Sequence, residues 1–200
     1  MAFTYFFRDL QTLELIVEHL LPFVSGRNRI SIWDAGCASG QEPYTLAILL
    51  AEKMHSFSFR NVTIYATDID MSNQFGKIIH DGIYPYPELE RIPVELFKKY
   101  FTRYDNNSNY QIDQLLRSRI TFKREDLLDF QPPTEEISLV LCKNVLLHLS
   151  AEQRVAVIRT YHRALARGGL FAMENTQKLP EELLPLFDKV VSNAEIYRKK

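Results

Sequence analysis

Apolar residues recur at helical spacing through Leu10, Leu13, Ile16, Val17, Leu20 and Leu21. The pattern predicts an amphipathic helix with Asp9 as its N-cap and the stretch from Pro22 to Gly26 as its stop. The period then changes. Ile30 to Trp33 reads as a buried strand and Glu42 to Met54 as the helix after it, with Pro43 in the first turn, where proline is tolerated. Val62 to Ala66 predicts a second strand, Ser72 to His80 a helix, and Ile120 to Phe122, Ser138 to Leu141 and Gly169 to Met173 further strands. A helix over Ala151 to Ala166 and a closing hairpin over Phe187 to Tyr197 complete the series. Strands alternating with helices imply an α/β, Rossmann-like fold: a mostly parallel sheet with helices on both faces and ligands at the strand C-terminal ends.

The alternation breaks between Glu88 and Arg119, where Tyr100 to Tyr104, Asp105-Asn-Asn-Ser-Asn109 and Tyr110 to Ile112 suggest a β-hairpin with a polar turn. Residues 88–119 are therefore expected as a surface excursion from one domain spanning residues 1–200. At 200 residues, with 46% hydrophobic and 24% charged content, the chain has the size and balance of one globular domain. A formal net charge of −1 gives no electrostatic reason to expect a nucleic-acid partner. The apolar runs are too short for membrane insertion, and two cysteines without a C-x-x-C motif suit a reducing, cytoplasmic setting. Neither a nucleophile elbow nor a zinc-ligand cluster is present, so no metal is expected.

The candidate chemistry lies in two strand ends. Asp34-Ala-Gly-Cys-Ala-Ser-Gly-Gln-Glu42 follows the first strand, and Ala66-Thr-Asp68-Ile-Asp70 ends the second. A glycine turn between strand and helix admits a ligand to the backbone, and an acid ending the next strand suits a ribose diol. The turn reads Gly36-x-x-x-Gly40 rather than the G-x-G-x-x-G of pyrophosphate sites, and Glu42 repels phosphate. A cationic donor, S-adenosylmethionine, fits better than NAD or ATP. Asp70 is read as a cap for the helix expected at Ser72, and Phe3, Tyr5, Phe6 and Phe7 as packing residues rather than a base-stacking platform. Cys37 and Cys142 are read as small buried residues.

Read together, Phe3-Thr-Tyr-Phe-Phe-Arg-Asp9, Trp33 to Tyr44, Ala66 to Asp70 and Cys142-Lys-Asn-Val145 resemble the CheR-type chemotaxis-receptor glutamate O-methyltransferases. The likeness continues to Glu195-Ile-Tyr-Arg198. It implies the methyltransferase version of the Rossmann-like fold and methyl transfer from S-adenosylmethionine to a receptor or other protein glutamate, leaving S-adenosylhomocysteine. It also implies that Thr4 and Arg8 fold over the cofactor, with Arg8 facing the acceptor carboxylate. Gly36 and Glu42 match contacts to the methionine portion, Asp68 with Ile69 the ribose end, and Asp126 and Leu127 the adenine contacts, where the family commonly has Asn-Leu. Lys143 and Asn144 stand where Arg-Asn is usual. His148 replaces a tyrosine that helps position the reacting groups and is the second catalytic candidate beside Arg8. The usual N-terminal helical domain has no counterpart ahead of Phe3, and the hairpin turn lacks the glycine pattern of members that dock on a receptor-tail peptide. Tethering by that route is not expected.

An ionised carboxylate is already nucleophilic, so in-line methyl transfer needs no general base. Orientation by Arg8 is the expected main effect, and such effects lower barriers by roughly 7 to 11 kcal/mol. Two other readings stay open: transfer to another, small-molecule acceptor, and a cofactor-binding module without turnover.

Overall fold

The computed structural model describes residues 4–200. Its main sheet has seven strands in the order β6-β2-β1-β7-β8-β10-β9. In chain order they are β1 (Ile30–Ala35), β2 (Val62–Asp68), β6 (Ile120–Arg124), β7 (Ile137–Cys142), β8 (Leu165–Met173), β9 (Phe187–Lys189) and β10 (Ile196–Lys199). The sheet is parallel from β6 through β8, and β10 is the one reversed strand, pairing antiparallel with both β8 and β9. The predicted α/β sheet with its closing hairpin is present. Strands β1 and β7 are buried along their whole length, Ser31, Asp34 and Ser138 included, as central strands covered on both faces are.

Helices α1 (Leu10–Val24) and α2 (Gln41–Lys53) cover one face of the sheet. The Ala151–Ala164 helix, started by a Ser150–Gln153 capping box, covers the other, where Tyr161 meets Trp33 edge to face. From β1 the chain runs outward through β2 to β6, then crosses back to place β7 on the other side of β1. The loops leaving β1 and β7 therefore diverge and open a crevice at this switch point.

Several boundaries move for physical reasons. The helix expected from Ser72 starts at Phe75, because the Asp70 carboxylate first closes a turn. It accepts from Ser72 Oγ (3.0 Å) and the backbone N–H groups of Gln74 (3.1 Å) and Phe75 (3.0 Å). Asp70 caps as predicted, from further upstream. Pro22 lies inside α1 rather than ending it. Asp9 occupies the N-cap position with φ 51° but makes no side-chain cap bond, so its expected capping role is corrected below.

The predicted hairpin forms from β4 (Phe101–Arg103) and β5 (Asn109–Ile112), its turn held by Asp105 bonded to Asn107 and Asn109. A third strand, β3 (Ile83–Pro85), pairs with β5 and makes a separate three-stranded sheet. Residues 88–119 are more than a surface excursion. Tyr100, Phe101, Ile112 and Leu116 are buried in the same core as α1 and α2, and Phe6 packs edge-on against both Tyr84 and Phe101. This small sheet thereby gives the N-terminal segment a surface to rest on.

Candidate active site

The crevice is a cavity of about 460 Å³, within the roughly 300 to 1,000 Å³ range of small-molecule sites. The glycine turn forms its floor. Gly36 has φ 92°, and both Gly36 N–H (2.7 Å) and Cys37 N–H (3.0 Å) donate to the Thr67 carbonyl at the end of β2. A Cβ at Gly36 would lie 2.2 Å from Val145 Cγ2, so the turn has room for backbone alone. Gly40, at φ 98°, precedes α2 and is equally confined by Ile79 and Tyr84.

Asp68 closes one end of the cavity. Its carboxylate accepts the N–H groups of Ala38 (3.0 Å) and Asp70 (2.9 Å), which ties the two strand-end loops together and leaves further lone pairs for a ligand's hydroxyls. Glu42 stands at the other end, in the first turn of α2, where the helix dipole favours an acid. Burial pushes its pKa up, against the opposing pull of Lys143.

The segment Thr4–Asp9 forms the opposite wall. Phe6 is its buried anchor, and Phe7 N–H donates to Thr45 Oγ1 (3.0 Å), whose own hydroxyl donates to the Gln41 carbonyl (2.7 Å). Arg8 Nη2 donates to Asn144 Oδ1 at 3.0 Å. Thr4, Arg8, Gly36, Glu42, Asp68, Lys143, Asn144 and His148 all line the one cavity. His148 is exposed at its edge, in a short 3-10 turn after β7.

Three candidates lie outside that wall. Ile69, just past Asp68, is half exposed. Asp126 uses its carboxylate to accept Leu128 N–H (2.9 Å), and Leu127 packs against the core beneath Trp33. Asp126 and Leu127 stay close to Asp68 through the backbone, since Glu125 N–H donates to the Asp68 carbonyl at 2.9 Å. Phe3 lies outside the described residues, among which no helix is long and apolar enough to cross a membrane.

Periodicity and motif spacing missed four residues here. Thr45 and Asp9 hold the N-terminal wall, and Glu174 Oε2 accepts the N–H of Asn144 at 3.2 Å. Asp34 is the fourth: fully buried at the end of β1, with neither carboxylate oxygen hydrogen-bonded. Burial, and then the neighbouring Glu42 charge, push its pKa well above the usual carboxylate range. Its proton is therefore held in the folded protein at pH values where the unfolded chain has lost it. With one more proton bound folded than unfolded, stability falls as pH rises above the reference value near 3.9, by at most about 1.4 kcal/mol per unit, until the raised pKa is passed. Asp34→Asn removes this slope, so melting temperatures of variant and wild type diverge in the variant's favour as pH rises above the reference value near 3.9. A difference that stays constant as pH rises from there would contradict the burial effect.

The profile of the CheR methyltransferase SAM-binding domain matches residues 2–194. The chain belongs to this family. Relatives of the CheR domain include a chemotaxis protein methyltransferase of Borreliella burgdorferi, 29% identical over 88% of this chain and 64% of that protein. Chemotaxis protein methyltransferase 1 of Pseudomonas aeruginosa is 31% identical over 89% of this chain and 68% of its own length. The chain thus spans about two thirds of these relatives. Solved structures agree on the fold: magnesium protoporphyrin IX methyltransferase of Synechocystis with bound SAM has a TM-score of 0.54 at 18% identity, over 96% of this chain and 80% of that one. The rRNA methyltransferase aviRa of Streptomyces viridochromogenes also scores 0.54, at 14% identity, over 100% and 85%. The cofactor of the CheR domain is S-adenosylmethionine. The glycine floor with no space for a side chain and the acids at both ends fit its backbone-hugging, cationic methionine portion and its ribose.

Proposed function

We propose that this domain transfers the methyl group of S-adenosylmethionine to a carboxylate of a protein, of the kind represented by chemoreceptor glutamates, in the cytoplasm. The observation that carries the acceptor class is Arg8 on the wall of the cavity, oriented by Asn144 and sharing that cavity with Glu42 and Asp68. The bound cofactor supplies an electrophilic methyl group on a sulfonium. Asp68 holds the ribose hydroxyls, Gly36 gives the methionine portion its backbone surface, and Glu42 pairs with its amino group. Arg8 orients an ionised carboxylate oxygen toward the methyl group, and Asn144 keeps the guanidinium from turning away. Ile69, Asp126 and Leu127 flank the adenine end. The relatives' name, chemotaxis protein methyltransferase, supports this choice of acceptor.

Calorimetry with S-adenosylhomocysteine followed by a methyl-release assay on chemoreceptor fragments tests the proposal. Binding with turnover on glutamate side chains supports it. Binding without turnover on any acceptor points instead to a sensing module, and absence of binding overturns the cofactor assignment. His148→Tyr, which restores the residue common in the family, is expected to keep kcat/KM on protein carboxylates at or above the present level. A fall of about a hundredfold would show that His148 has a role of its own in the site.

A further inference from the structure

Two consecutive residues of the N-terminal wall meet two consecutive residues beyond β7. Arg8 bonds Asn144, while Asp9 Oδ2 lies 3.0 Å from Lys143 Nζ. Lys143 is also 3.3 Å from Glu42 Oε2, and its side chain is only 1% exposed. The two carboxylates are the anions that hold this buried ammonium. Asp9 is the notable partner. It stands at the N-cap position of α1 in a left-handed conformation, yet leaves the helix's N–H groups to its backbone carbonyl, which accepts from Thr12 (2.9 Å) and Leu13 (3.2 Å). An aspartate at an N-cap ordinarily spends its carboxylate on the helix. Here that carboxylate is turned toward a buried cation on the cavity wall.

We propose that Asp9 is a positioning residue: with Lys143 it forms a charge clasp that fastens the Thr4–Asp9 wall over the bound cofactor and sets Arg8 against Asn144. The inference rests on the cofactor reading above and adds to it a residue that touches neither ligand. Two consequences follow when the clasp is lost. The wall loses its charged anchor and keeps Phe6, the Phe7–Thr45 bond and the Arg8–Asn144 bond, so it closes the cavity less of the time. Lys143 then turns wholly to Glu42 and competes for the carboxylate that pairs with the cofactor's amino group. Because the Asp9 side chain is 47% exposed, the effect is that of a half-solvated pair. A weakening of S-adenosylhomocysteine binding by about fivefold is expected.

The test uses Asp9→Asn, Asp9→Ser and Asp9→Glu beside the wild type. Asparagine and serine are good N-caps without charge, so if Asp9 served only the helix both would bind as the wild type does. The clasp predicts the reverse order: Asn and Ser weaken S-adenosylhomocysteine binding about fivefold, Asn with the melting temperature preserved because it tolerates the left-handed φ of 51° as Asp does and Ser with a small fall, while Glu, which restores the charge, retains most of the affinity. Limited trypsin cleavage after Arg8, without ligand and divided by the cleavage rate of the matching unfolded peptide because an acid after the arginine itself slows trypsin, gives a second readout, faster in the Asn and Ser variants only. Equal affinity and equal cleavage in all four proteins overturn the clasp. A wild type that binds no S-adenosylhomocysteine overturns the cofactor reading instead, whatever the cleavage rates.

Discussion

Replacing Gly36 with alanine is expected to weaken S-adenosylhomocysteine binding by at least about a hundredfold, as measured by calorimetry. Two costs combine at this position. A residue with a Cβ at φ 92° pays about 1 to 2 kcal/mol of backbone strain. The new methyl group also meets Val145 Cγ2 at 2.2 Å. The turn cannot slide away, because the N–H groups of Gly36 and Cys37 share the Thr67 carbonyl. Val145 must move instead, taking with it the 143–148 loop that carries Lys143, Asn144 and His148. Gly26→Ala separates the two costs, since Gly26 also has positive φ, 75°, but no atom within 4 Å of the added Cβ. That variant should lose some stability and keep its affinity. Val145→Ala in the Gly36→Ala background relieves the contact and should recover part of the binding. Wild-type affinity in Gly36→Ala would remove the glycine turn from the cofactor site.

The contrast between Gly36 and Asp9 shows what a linear reading can reach. Gly36, Glu42 and Asp68 were legible because their roles follow from local order: a strand, a turn that needs positive φ, a helix start, and an acid at the next strand end. Strands β1, β2 and β7 were legible for a similar reason, since short, mostly apolar runs rich in β-branched and aromatic residues between turn signals have few other uses. Asp9 misled because N-cap preference is a local rule, and the rule lost to a cation 134 positions away in the chain, from 143 − 9. Asp34 looked like part of a turn motif, and only burial shows that its carboxyl lacks a partner. β3 escaped notice because three residues carry no period, and Ile83–Pro85 is a strand only through its pairing with β5. The 88–119 segment was polar enough to read as surface, yet Leu89, Ile92, Tyr100, Phe101, Ile112 and Leu116 are buried in the same core as α2. Sequence therefore located the cavity's floor and both its ends, while the means of holding its outer wall depended on contacts between distant segments.

The second large effect is expected from Arg8→Ala, and it should separate chemistry from binding. If Arg8 orients the acceptor, its loss lowers kcat/KM for methyl transfer by about a thousandfold, in the range seen when one well-placed electrostatic donor is removed. S-adenosylhomocysteine affinity should change by no more than about threefold, because Gly36, Glu42 and Asp68 keep their places and the Asp9–Lys143 pair still fastens the wall. Arg8→Lys refines the assignment. Lysine keeps the charge but loses the planar fork that can grip both carboxylate oxygens or bond Asn144 and the acceptor together. A lysine variant close to alanine in rate identifies geometry as the source of the effect; one close to wild type identifies charge alone. Asn144→Ala should reproduce part of the Arg8→Lys loss, since it frees the guanidinium while leaving it present. The cofactor end and the acceptor end of the cavity are thus held by different residues, and the variants should lose one function without the other. Turnover that survives Arg8→Ala undiminished would place the acceptor elsewhere on the cavity wall.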